Sequence, residues 1–134
     1  MDTKKQKYSV FFCGISKNCV ETISSNLKFL DSFFIHSEFN SFGVFVDSDS
    51  TDGSKTLLEE FVQDLDNSIY ENLDNLEDSY NNRIERIQIS RNKCLELMST
   101  FGKDKNIVYI PLDLDLDLFK YSSVESFESL ILYC

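Results

Sequence analysis

Three short stretches of the sequence hold residues whose types and spacing could do chemistry together. The first is Asp113-Leu114-Asp115, within the run LDLDLDL that follows the apolar segment IVYIPL. Two carboxylates one residue apart at a strand end can both reach one hard cation. Mg²⁺ or Mn²⁺ suits such a pair, because it takes oxygen ligands and shares the remainder with phosphate. Asp117 can replace either partner, since the repeat leaves the register open. The competing reading is an exposed alternating strand, apolar in and acid out. Three acids in one row would repel each other, which counts against it. The second stretch contains Arg91. On a helical wheel over 80–101 it falls in the arc of Ile84, Ile87, Cys94, Leu95 and Met98. A guanidinium on an apolar face requires a fixed anion. That anion is either a phosphate, which the planar fork can grip through two hydrogen bonds, or a carboxylate at a strand end. Asn92 lies at the rim of the same face. The third stretch is the loop DSDSTDG (47–53). Asp47 closes a strand, and its carboxylate can meet a nucleobase N–H or ribose hydroxyls. Asp49 in the same loop is a further candidate for nucleotide contact. A capped turn of Asp, Ser and Gly explains the same composition without a ligand.

These residues need elements to position them. Ser9 to Ile15 (SVFFCGI) and Ser41 to Val46 (SFGVFV) read as buried strands, and Ile107 to Leu112 as a third strand buried on both faces. Val20, Ile23, Leu27, Leu30 and Phe34 mark one face of a helix. A second helix is predicted over Ser54 to Leu65, capped by Ser50 or Thr51, with Leu57, Leu58, Phe61 and Leu65 inward. A long helix covers Tyr80 to Phe101, and a last one covers Val124 to Leu132. Between Lys55 and Arg83 there is no basic residue, and residues 66–79 read as an acidic surface loop with a short strand near Ile69 and Tyr70. Strands alternating with helices give an α/β fold with a mainly parallel sheet flanked by helices. Ligands of such sheets sit outside the carboxyl ends of the strands.

The whole chain bounds the possibilities. With 134 residues it fits a single domain, and 12 Phe supply more apolar bulk than a disordered chain carries. Net charge is −10, and no basic cluster is visible in the sequence beyond Lys4, Lys5 and Lys7. Nucleic acid and anionic membranes are therefore poor partners. An anionic ligand would need a local cation or a recruited metal. Cys13, Cys19, Cys94 and Cys134 follow no metal-binding or disulfide spacing, which fits a reducing, cytoplasmic setting. No apolar run is long enough for a transmembrane segment.

In order, GISKN (14–18), VFVDSDSTDGS (44–54), RIERIQISRN (83–92) and IVYIPLDLDLD (107–117) resemble the GT-A glycosyltransferases. The likeness is to the family-2-like enzymes and the capsule-associated mannosyltransferase-like group, and it spans nearly the whole chain. It implies the Rossmann-like nucleotide-binding half of a GT-A fold. It also implies that Asp47 contacts the base or ribose and that Arg91 sits near the nucleotide pocket. Asp113 and Asp115 would hold Mg²⁺ or Mn²⁺ against the diphosphate. The implied reaction moves a hexose from a nucleotide-diphosphate sugar to a glycan or lipid acceptor. The chain departs from the family pattern at Ser48, which stands where a second acid or an amide is usual. The sequence also stops soon after the Asp-Leu-Asp motif, and its one histidine, His36, reads as a helix-end residue. The expectation is a partial domain over 1–134, inactive alone, with a non-catalytic nucleotide-binding module or degenerate partner as the alternative.

Overall fold

The computed structural model describes residues 5–102 and 106–133; Lys4 and Cys134 lie outside them. Four strands form one sheet: β1 (Ser9–Ser16), β2 (Asn40–Asp47), β3 (Ser68–Asn72) and β4 (Ile107–Asp113). Every pairing is parallel, and the spatial order is β3-β2-β1-β4. The helices are α1 (Val20–His36), α2 (Ser54–Gln63), α3 (Leu76–Ser79), α4 (Arg83–Met98) and α5 (Val124–Tyr133). This is the α/β, Rossmann-like architecture expected from the sequence.

The central strand shows why the sequence folds this way. β1 is flanked on both sides and buried along its length, so both of its faces are apolar. Val10 and Phe12 point into one core, beneath α1, α2 and α5, where Phe33 and Phe127 pack on Phe12 and the stacked rings of Phe29 and Phe119 extend the cluster. Phe11 and Cys13 point into a smaller core on the opposite face, beneath α4 and Cys94. This alternation is the period of two of any strand. At Gly14 the face carries no side chain. A Cβ there would lie 2.8 Å from Leu114 Cδ1 and 3.1 Å from Phe45 Cδ1. The missing side chain is what lets Leu114 fold down onto β1.

Several expectations need correction. β4 is not buried on both faces. Leu112 is buried and Val108 and Ile110 pack on the larger core, but Ile107, Tyr109 and Pro111 are exposed. The reason is that α4 packs over β1 and β2 and leaves β4 uncovered on that side. For the same reason the buried face of α4 is narrow, centred on Ser90 and Cys94, while Ile84 and Leu95 are exposed. The helix also starts at Arg83, where Asn82 caps it by accepting from the Ile84 N–H at 2.8 Å, and it ends at Met98 in a 3₁₀ turn. The acidic stretch 66–79 is largely structured. β3 adds to β2 through Ile69 and Tyr70, and α3 follows with Leu76 buried. α2 is not capped by Ser50 or Thr51. It begins after Gly53 in the left-handed region (φ 97°), and Asp52 Oδ1 accepts from the Ser54 N–H.

Candidate functional site

All strands run the same way, so Ser16, Asp47, Asn72 and Asp113 end at one edge of the sheet. From β1 the chain crosses to β2 on one side and, later, to β4 on the other. The strand order therefore reverses between β1 and β4, which is where open parallel sheets bind ligands. A cleft of about 510 Å³ opens at that point. Its floor is Ile15, Ser16 and Lys17 from the end of β1, with Ser48 beside them. One wall is Asp113, Asp115 and Leu116; the other is Arg83, Arg86, Ile87, Ser90 and Arg91 of α4.

The wall after β4 is held by α1. Asn26 is fully buried, donates to the Leu114 and Leu116 carbonyls at 3.3 and 2.8 Å, and accepts from the Leu118 N–H at 3.1 Å. Thr22 Oγ1 donates to the same Leu114 carbonyl at 2.6 Å. With Leu114 buried, this network turns the Asp-Leu repeat out of the strand and presents Asp113 and Asp115 to the cleft. Asp117 faces α1 instead, accepting from Ser25 Oγ at 3.0 Å.

Arg91 spans the cleft to Asp113, Nη2 to Oδ1 at 2.5 Å. Both side chains keep solvent contact, so the pair is worth about 1 kcal/mol or less. Its other terminal nitrogen, Nη1, is shielded from solvent and has no well-formed hydrogen bond among the described residues. Burial raises the Tyr109 hydroxyl above its ordinary value, and the Arg91 guanidinium beside it opposes the rise. Beneath Arg91, Cys94 is buried and desolvation pushes its thiol up to about 12. It is therefore a neutral packing group rather than a nucleophile at physiological pH.

The loop after β2 has a different task from the one read in the sequence. Asp47 is fully buried, and it accepts from Ser16 Oγ at 2.7 Å and Ser50 Oγ at 2.6 Å. Burial raises its carboxyl above the ordinary value, and the Ser50 and Ser16 bonds oppose the rise. Ser50, Ser54 and Asp52 accept from the Asn18, Cys19 and Val20 amides at 2.8, 3.0 and 3.0 Å. These amides open α1 and have no partner within the helix. Asn18 returns the contact by accepting from the Thr51 N–H at 2.7 Å. Asp49 accepts from the Asn75 and Glu77 amides at 2.6 and 3.0 Å and so starts α3. Neither Asp47 nor Asp49 lines the cleft. They fix the loops that do.

The structure thus brings Arg91, Asp113 and Asp115 together and places Asp47, Asp49 and Asp117 outside the cleft. It also assembles a basic cluster that is not visible in the linear sequence. All three arginines of the chain line this one cleft, joined by Lys17. The signal in the sequence was the spacing 83, 86, 91 with Ile87 and Ser90, which is one helical stripe. For a divalent cation, Asp113 and Asp115 supply two carboxylates and no more. Among the described residues no group of three or more His, Cys, Asp or Glu side chains is placed to hold a metal. Such a pair fits a small hard cation only when phosphate oxygens and water complete its shell. Among the described residues no helix is long and apolar enough to cross a membrane. Compared with protein-family profiles, curated proteins and solved structures, the chain gives no match.

Proposed function

We propose that the cleft binds a nucleotide-diphosphate sugar, and that the chain is the nucleotide-sugar-binding domain of a GT-A glycosyltransferase that moves a hexose to a glycan or lipid acceptor. The observation that carries this reading is the facing of Arg91 against Asp113 and Asp115 at the point where the strand order reverses. The fold alone would not carry it, because such sheets host many activities. Arg91, which lines the cleft and keeps solvent contact, would donate to one phosphate, and Asp113 would keep the guanidinium aligned. Asp115 has no ion-pair partner among the described residues. With Asp113 it would hold Mg²⁺ or Mn²⁺ arriving with the diphosphate, and that cation would supply charge neutralisation of the leaving group. Asp47 and Asp49 act as positioning residues. Three unpaired, buried thiols, Cys13, Cys19 and Cys94, agree with work in the cytoplasm.

A second reading is a nucleotide-binding module without transfer activity. The Arg91–Asp113 pair favours it, because it engages a carboxylate that a cation would need. Calorimetric titration with UDP, GDP and their hexose conjugates, with and without Mn²⁺, tests both. The first reading expects binding that strengthens at least tenfold with Mn²⁺ and loses that gain in Asp115→Ala. Equal affinity with and without Mn²⁺ removes the cation and leaves the module. Failure of every nucleotide to bind removes both.

A further inference from the structure

We propose that Arg83 and Arg86 form a phosphate subsite of their own, which binds phosphate or pyrophosphate groups without a metal ion. In a chain with 23 acidic and 13 basic residues, most cations should find a carboxylate. In the cleft Lys17 pairs with Glu77 and Arg91 with Asp113. Arg83 and Arg86 pair with no carboxylate among the described residues. Both line the cleft, Arg83 exposed and Arg86 half-buried, so an entering anion relieves their mutual repulsion.

The position is distinct from that of Arg91. At 1.5 Å per residue, Arg86 and Arg83 stand about 7.5 and 12 Å from Arg91 along α4. Arg86 is held in place there, donating from Nη1 to the Tyr80 carbonyl at 2.7 Å. The side chains, and not the helix end, make the subsite, because Asn82 already occupies the Ile84 amide. Charge counting points the same way. With Lys17 cancelled by Glu77, and Arg91 by Asp113, the remainder is Arg83 and Arg86 against Asp115. A divalent cation and a doubly charged diphosphate would cancel each other and leave that excess in place. The ligand class is therefore a phosphate ester or diphosphate, either water-soluble or at the head of a lipid.

The subsite does not depend on the base, sugar or cation of the reading above, and its test is separable. Inorganic pyrophosphate is titrated in EDTA into the wild type, Arg83→Gln/Arg86→Gln and Asp113→Asn/Asp115→Asn. Circular dichroism confirms that each variant keeps its helices. The wild type is expected to bind, the arginine variant at least tenfold more weakly, and the aspartate variant as tightly or more so. Equal affinity of wild type and arginine variant, or no binding in EDTA, overturns the subsite. If pyrophosphate binds through these arginines but no nucleotide does, the subsite stands and the nucleotide reading falls. A hexose phosphate and a short prenyl phosphate, titrated in parallel, tell a soluble source from a lipid one by which binds more tightly.

Discussion

Asp47 is the residue whose chemistry departs furthest from its place in the sequence. A strand-end aspartate before a Ser-rich loop reads as a ligand contact, yet its oxygens are taken by Ser16 and Ser50 and its side chain is fully buried. Nothing in a one-dimensional pattern separates the two, because both need an acid at the same sheet edge. The burial has a measurable sign. A carboxyl whose folded pKa lies above the ordinary 3.8 holds its proton more tightly in the folded chain. Its contribution to stability is full below the unfolded pKa and is lost as pH rises through the folded value. Asp47→Asn removes that loss, since the two serine hydroxyls can accept from an amide as well as donate to one. The melting temperature of the variant minus that of the wild type should rise as pH climbs above the ordinary carboxylate value of 3.8, and level off once Asp47 is ionised in the folded chain. A flat or falling difference in thermal melts would show that Asp47 is not desolvated.

At the scale of elements, the turn after β4 and the glycine beneath it act as one part. Leu114 sits where Gly14 has no side chain, and Asn26 and Thr22 tie its carbonyl to α1. Gly14→Ala should cost about 1–3 kcal/mol by overpacking. Because Leu114 stands between Asp113 and Asp115, it should also weaken Mn²⁺-dependent nucleotide binding. Denaturant melts and titration check the two effects, and a stable variant with intact binding would uncouple glycine and turn. The elements themselves were largely legible. Strands β1, β2 and β4 and helices α1, α4 and α5 stand where hydrophobic period put them, with ends shifted by a few residues. What the pattern could not supply was coverage. IVYIPL has the apolar density of a doubly buried strand, but how much of it is covered depends on where α4 lies, and local sequence does not encode that. The capping of α1 was hidden for a similar reason. Its caps come from Ser50, Asp52 and Ser54, more than thirty positions away.

For the whole molecule, net charge misled. A total of −10 suggested a chain that must borrow a cation to hold an anion, whereas folding gathers every arginine on one wall of one cleft. The sum says little about the local field, which close charges dominate within a Debye length of about 8–10 Å. The other global feature is the open flank of the sheet at β4, where Ile107 and Tyr109 are 44% and 37% exposed. An apolar edge strand tends to recruit other chains. Ile107→Lys should lower light scattering at high protein concentration while moving stability by no more than about 0.5 kcal/mol. Unchanged scattering would mean that this flank is not the sticky surface. The gathering of the arginines has a practical consequence. A dicarbonyl reagent selective for guanidinium groups finds them in this sequence only at Arg83, Arg86 and Arg91. Every arginine adduct seen by mass spectrometry then reports on the cleft, and shielding by an added compound measures its occupancy.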